Sequence, residues 1–313
     1  MTDKTDFENK LLETIKLSGY FKEQQTILDF ENAGYFVNPN YIYEDKEEKQ
    51  SREIDLLVTR HSPKNDFNSY FSLYVYGEVK SMNTPIIFFE RTPKFRIPRD
   101  PSLPLFGTLR YFKTQTGSTP LWSLLNLDSI YHQSNIPHES SQFCLLERKN
   151  NDKNWEASHM NFFERTFLPF FQLIKSSIDD RVEQSYKYYD PVSFFNVSYY
   201  QPLVIISGPL YSYNINENKL KECDYIVYKR SQIINSINIT LYFDIVSSSF
   251  LSSYITKYLN YTYDAILNKF TANANLINEM TKTHLQLFKQ ENEAKQSSHN
   301  SSTMPAAKPA NIA

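Results

Sequence analysis

The chain has 313 residues, of which 41% are hydrophobic and 22% are charged, an ordinary globular composition with room for one large domain or two smaller ones. Its two cysteines, Cys144 and Cys223, are too few for a disulfide framework, so we expect reduced thiols in a cytoplasmic protein. The net charge of −2 shows no basic excess, so composition alone does not indicate a nucleic-acid-binding protein.

The sequence gives no sign of a membrane segment. The first residues, MTDKTDFENK, are charged and lack an apolar stretch, so we expect no signal peptide. A run of about 18 apolar residues, which a spanning helix requires, does not occur. We therefore expect no membrane partner.

The first ninety residues predict two helices followed by strands. Apolar spacing predicts a short helix over 7–17 and a second over 21–33, with Gly34 placed to end it. Alternating and β-branched or aromatic residues then predict four strands. These cover residues 35–43, 53–59, 70–80 and 85–89.

The rest of the chain repeats an α/β pattern after a proline-rich interval at 91–137. The predicted strands cover residues 142–148, 202–207, 224–230 and 237–246, and the predicted helices cover 158–183, 251–270 and a segment ending near 290. Residues 291–313 hold few bulky apolar side chains, which predicts a disordered tail. We expect a domain over 1–185 and a C-terminal α/β extension over 186–290, which either completes the same sheet or forms a second lobe.

Two of the predicted strands carry acidic residues at matching places. Alternate residues share a face of a strand, so Asp55 faces away from the side shared by Ile54 and Leu56, while Glu78 and Lys80 share one face. Pairing the two strands brings Asp55 beside Glu78. Two carboxylates near a lysine form a site of hard oxygen ligands that suits Mg²⁺. Such a metal polarises a phosphoryl oxygen and lowers the pKa of a bound water.

A simpler interpretation is an exposed sheet face with surface ion pairs. The first part of the run LYVYGEVKS is apolar on both faces, which favours a buried strand. Buried carboxylates need a partner or a metal, so we favour a metal site. Glu53 has the same parity as Asp55, and we expect it in solvent.

The order Asp55, then Glu78-Val79-Lys80, resembles the PD-(D/E)XK nuclease superfamily, which includes restriction endonucleases and Holliday-junction resolvases. The strings SREIDLLV and YGEVKS carry the resemblance, together with Glu23 on the preceding helix in KEQQTILDFENAG. It covers residues 21–89. One departure is Ile54, which stands where the family motif has a proline.

The resemblance implies an α/β, restriction-endonuclease-like core, with a mixed central sheet flanked by helices. It implies that the Asp55 and Glu78 side chains and the Val79 carbonyl bind Mg²⁺, for which Mn²⁺ substitutes. Lys80 would act on the attacking water, and Glu23 would assist the metal or its water shell.

The implied activity is that of an endonuclease in bacterial defence or DNA processing, with DNA favoured over RNA as the partner. Cutting both strands commonly requires two active sites, which is compatible with a homodimer. The alternative is a catalytically inactive protein on the same fold that binds nucleic acid or a protein partner.

A basic segment, RTPKFRIPR, follows the fourth predicted strand. Its cations are Arg91, Lys94, Arg96 and Arg99, and Phe88, Phe89 and Phe95 lie close by in the sequence. Basic residues interleaved with aromatics suit a phosphate backbone and a stacked base, and the competing interpretation is a solvated loop. No metal-ligand spacing of histidines, GxGxxG motif or P-loop occurs, so neither zinc nor a nucleotide cofactor is indicated.

Overall fold

The structure is a computed structural model that describes residues 2–45, 48–65, 69–90, 105–107, 111–127, 139–148, 154–159, 161–187, 195–234 and 237–301. The fold is mixed α/β, with a large mixed sheet flanked by helices. The strands are β1 (Phe36–Asp45), β2 (Gln50–His61), β3 (Ser69–Ser81), β4 (Ile86–Glu90), β5 (Leu105–Gly107), β6 (Tyr111–Thr114), β7 (Gly117–Pro120), β8 (Glu139–Arg148), β9 (Trp155–Ser158), β10 (Phe195–Ser207), β11 (Leu210–Asn214), β12 (Lys219–Glu222), β13 (Tyr225–Ile234) and β14 (Ile237–Ser247).

The helices are α1 (Thr2–Leu17), α2 (Gly19–Asn32), α3 (Leu121–Leu124), α4 (Leu168–Lys187), α5 (Leu251–Tyr254), α6 (Asn260–Ala272) and α7 (Ala274–Ser301). A π-helical turn, Phe163–Phe167, leads into α4, and a second, Ile255–Leu259, joins α5 to α6. Helix α7 continues to Ser301 and so extends into the segment, from residue 291 onward, for which disorder is predicted. Residues 302–313 lie outside the described part of the chain.

The large sheet joins strands from both halves of the chain. Its order is β1-β2-β3-β10-β14-β13-β8-β4-β11-β12, with β5 beside β10 and β9 beside β8, and β6 and β7 form a separate pair. Strand β3 pairs antiparallel with β2 and parallel with β10, and β10 continues parallel into β14. The predicted C-terminal extension therefore supplies the strands that complete the sheet beside β3.

Strand β10 begins at Phe195, seven residues before the predicted start at Pro202. Proline lacks an N–H group and usually marks the end or edge of a sheet. Pro202 lies between the segment of β10 that pairs with β5 and the segment that pairs with β14, and this gap in pairing accommodates it. The neighbouring Gln201 side chain donates to the carbonyl oxygens of Pro202 at 3.1 Å and Tyr242 at 3.5 Å.

Two hydrophobic clusters cover the two faces of the sheet. The first packs α2, α5 and α6 on one face, and its fully buried members include Phe30, Phe71 and Val75. The second packs α4 on the opposite face and is rich in aromatic rings. The Phe167 ring lies 4.8 Å from that of Tyr228 and 4.9 Å from that of Phe243. Each such buried side chain contributes about 1.5–3 kcal/mol to folding.

Candidate active site

The β2–β3 hairpin brings Asp55 to the backbone of the ExK segment. The two strands pair in register as far as Leu56 and Gly77, so Asp55 lies one step beyond the last pair, where Glu78 is next on β3. There the Asp55 carboxylate accepts a hydrogen bond from the Val79 N–H at 2.7 Å. Gly77 permits the close approach, because a Cβ at that position would lie 3.3 Å from the Cβ of Leu56.

Strand β1 is irregular opposite Asp55, because Asn40 has a left-handed φ of 51°. The flanking pairs, Pro39–Leu56 and Tyr41–Ile54, keep the same register. Leu56 packs in the first cluster and Ile54 in the second. The expectation that Ile54 and Leu56 share a side is therefore wrong.

Glu78 and Lys80 form an ion pair between Glu78 Oε1 and Lys80 Nζ at the end of β3. The Glu78 side chain is only 12% exposed, against 28% for Lys80. The pKa of Glu78 is raised to about 7, chiefly because the carboxyl group is buried; the charge of Lys80 lowers this pKa and the negative charge of Asp55 raises it. Glu78 therefore titrates near neutral pH, which is the behaviour of a carboxyl group in a functional site.

Glu23 approaches the same group from α2. The Ser18 hydroxyl caps this helix by accepting the Phe21 N–H at 3.2 Å, and Ile27 and Phe30 anchor the helix on the sheet. Burial raises the pKa of Glu23. The negative charge of Asp55 raises this pKa further, and the positive charge of Lys80 lowers it. The structure thus places Glu23 within electrostatic range of Asp55 and Lys80, although α2 and β3 are far apart in sequence. Glu53 is exposed, as expected.

Sequence reasoning missed a second ion pair beside the site. Arg52 Nε donates to Asp45 Oδ2 at 2.6 Å, with the Asp45 side chain buried and that of Arg52 33% exposed. Burial raises the pKa of Tyr43, and the charges of Arg52, Asp45 and Glu78 all act on its hydroxyl. Arg52 is therefore a partly exposed cation near the carboxylates. The sequence feature that could have indicated this cation is the position of Arg52 in SREIDLLV, three residues before Asp55.

The donor atoms suit a hard cation that keeps several waters. Among the residues that the structure describes, no group of three or more His, Cys, Asp or Glu side chains is placed to hold a metal ion. The site instead offers the carboxylates of Asp55 and Glu78 beside the Val79 backbone. Mg²⁺ is commonly bound through one or two carboxylates, with waters and substrate phosphates as the remaining ligands. The residues present fit such a partial coordination sphere.

The predicted basic segment cannot be placed. Arg91, Lys94, Arg96 and Arg99 lie outside the described residues. Phe88 is fully buried in the second cluster, with its ring 5.6 Å from that of Tyr228, so the structure excludes it as a surface for base stacking.

The raised pKa of Glu78 predicts a pH-dependent stability in the metal-free protein. Between pH 4.5, its ordinary pKa, and about 7, the folded state holds a proton that the unfolded state has released. The free energy of unfolding should therefore fall as pH rises across this interval. Glu78→Gln cannot ionise and should flatten the decline, measured by urea denaturation in the presence of a chelator. The matched control is Glu222→Gln on the exposed strand β12, and a variant slope equal to that of the wild type would contradict the assignment.

Comparison of the chain with protein-family models, curated proteins and solved structures finds no match. Within the described part of the chain, every helix is too short or too polar to cross a membrane. Both cysteines are free and half-buried.

Proposed function

We propose that this protein is a metal-dependent endonuclease that hydrolyses nucleic-acid phosphodiesters, with DNA as the favoured substrate. The observation that supports this most is the convergence of Asp55, Glu78 and Lys80, with Asp55 bonded to the Val79 N–H and Glu23 in electrostatic reach. The same residues in the same order carry the resemblance to the PD-(D/E)XK nucleases. The free cysteines support a cytoplasmic location.

In this proposal Asp55 and Glu78 bind Mg²⁺ or Mn²⁺ through their side chains, and Val79 binds it through its carbonyl oxygen. The bound metal supplies a polarised phosphoryl oxygen and a water of lowered pKa. Lys80 orients the attacking water and stabilises the negative charge that develops on the phosphate. Its charge also favours the ionised form of Glu78 against the effect of burial. Glu23 would assist the metal or its water shell.

The decisive experiment compares cleavage of plasmid, linear duplex, single-stranded DNA and RNA with Mg²⁺, with Mn²⁺ and with a chelator. Asp55→Ala removes a metal ligand, and Asp55→Asn removes its charge while keeping an acceptor for the Val79 N–H. Both variants should lose metal-dependent cleavage, whereas Glu222→Ala on exposed β12 should cleave like the wild type.

The outcomes separate the proposal from its alternative. Metal-dependent cleavage that both Asp55 variants lose would establish a nuclease and identify its substrate. Salt-sensitive nucleic-acid binding without cleavage by the wild type would instead favour an inactive binding protein on the same fold.

A further inference from the structure

The N-terminal part of the molecule carries an apolar surface that its own fold leaves open. Nine of the fifteen exposed large hydrophobic residues found among the described residues fall between positions 7 and 42. They lie on α1, on α2, at the junction between the two helices and on the edge strand β1, and comprise Phe7, Leu11, Leu12, Ile15, Leu17, Tyr20, Leu28, Phe36 and Ile42. A concentration of this kind indicates an interaction surface.

Helix α1 presents the most regular part of this surface. Phe7, Leu11 and Ile15 recur every four residues and so form one stripe along the helix, and they are 62%, 46% and 52% exposed. The stripe spans about 12 Å at a helical rise of 1.5 Å per residue. The α1–α2 junction is defined by Ser18, whose hydroxyl donates to the Ile15 carbonyl at 2.6 Å and accepts the Phe21 N–H.

The stripe is complementary to itself when two copies of α1 run antiparallel. About a twofold axis through Leu11, a residue that lies a given number of positions before Leu11 in one copy faces the residue the same number of positions after Leu11 in the other copy. Leu11 then meets Leu11 of the second copy, and Phe7 meets Ile15 in both directions.

The charges on α1 agree with the same arrangement. Glu8 lies on one side of the stripe, and across the axis it comes within about two residues, or 3 Å along the helix, of Lys16 of the second copy. Residues 6–17 carry three acidic and two basic side chains, which does not suit an anionic lipid surface.

We propose that α1 is a homodimerisation helix that pairs antiparallel with α1 of a second copy about an axis through Leu11. The apolar stripe supplies the buried contact, and the Glu8–Lys16 pairs set the direction. The proposal does not depend on the nuclease assignment, because it rests on exposure, spacing and charge in α1 alone.

The test measures the molar mass of the full chain by light scattering and sedimentation over a wide range of protein concentrations. The wild type should approach twice the 36.9 kDa of one chain. Leu11→Glu places two carboxylates against each other at the axis and should raise the dissociation constant at least about thirtyfold. The matched control, Leu276→Glu on α7, changes a leucine that is also exposed, at 41%, and should leave the dimer intact.

A charge exchange tests the direction of pairing independently. Glu8→Lys and Lys16→Glu should each weaken the dimer, and the double variant should restore it, since the opposite charges then meet again. A monomeric wild type at every concentration would overturn the proposal, as would an unchanged dimer in Leu11→Glu. Failure of the double charge variant to restore association would overturn the antiparallel arrangement, and circular dichroism reports whether each variant is folded.

Discussion

Replacing Lys80 with alanine is expected to abolish metal-dependent cleavage, with a fall in kcat of at least about 10²-fold, while the protein stays folded. Lys80 is the cation paired with Glu78, and it is partly exposed at the end of β3, so its removal leaves the two hydrophobic clusters intact. The matched control is Lys221→Ala on the exposed strand β12, which should cleave at the wild-type rate. Retention of wild-type activity by Lys80→Ala would contradict the nuclease assignment.

The pH profile of the same variant separates two roles of Lys80. The lysine lowers the pKa of Glu78, so its loss raises that pKa above about 7. If Lys80 served only to keep Glu78 ionised, cleavage by Lys80→Ala would recover at alkaline pH. We expect no recovery, because the lysine also acts on the attacking water and the phosphate. Circular dichroism and thermal denaturation of both variants would show that the comparison concerns folded proteins.

A fragment of residues 1–185 is expected not to fold, although it contains Glu23, Asp55, Glu78 and Lys80. Strand β3 pairs with β10 at all thirteen positions from Ser69 to Ser81, and β10 begins at Phe195. Without β10, the backbone groups on that side of β3 lose their partners, and α5 and α6 no longer cover the first cluster. The fragment should show no cooperative thermal transition and no protection of β3 amides from hydrogen exchange.

The control for this experiment is a chain that ends at Ser301, which retains all the strands that the structure describes, as well as α7, and should unfold cooperatively. A cooperatively folded fragment of residues 1–185 would show that β2 and β3 are stable without β10. Cleavage by that fragment would further show that the proposed active site functions without the C-terminal strands.

The parts of the fold that follow from local patterns were predictable. Strands β1 to β4 lie within a few residues of their predicted bounds, because each combines β-forming residues with a polar or glycine-containing boundary. The approach of Asp55 to the ExK segment followed from a hairpin whose strands are close in sequence. Long-range pairing was not predictable, since nothing in YFSLYVYGEVK indicates that its parallel neighbour lies more than a hundred residues later.

The errors at the site arose from backbone detail. Ile54 and Leu56 belong to different clusters although the pairing of β2 with β1 keeps its register, and strict alternation has no means of anticipating this. Proximity in sequence groups Phe88 with the basic segment that follows it, whereas Phe88 is buried in β4. The Arg52–Asp45 pair was missed because the two residues belong to different strands and meet only across the β1–β2 ladder.

The last strand of the sheet order, β12, affects how this protein behaves at high concentration. A wide sheet whose final strand is apolar tends to recruit strands from other molecules and grow into aggregates. Strand β12 is only four residues long, and its sequence, Lys219–Glu222, exposes two lysines and a glutamate. Any incoming strand must desolvate these charges for few hydrogen bonds, so this border of the sheet should resist polymerisation.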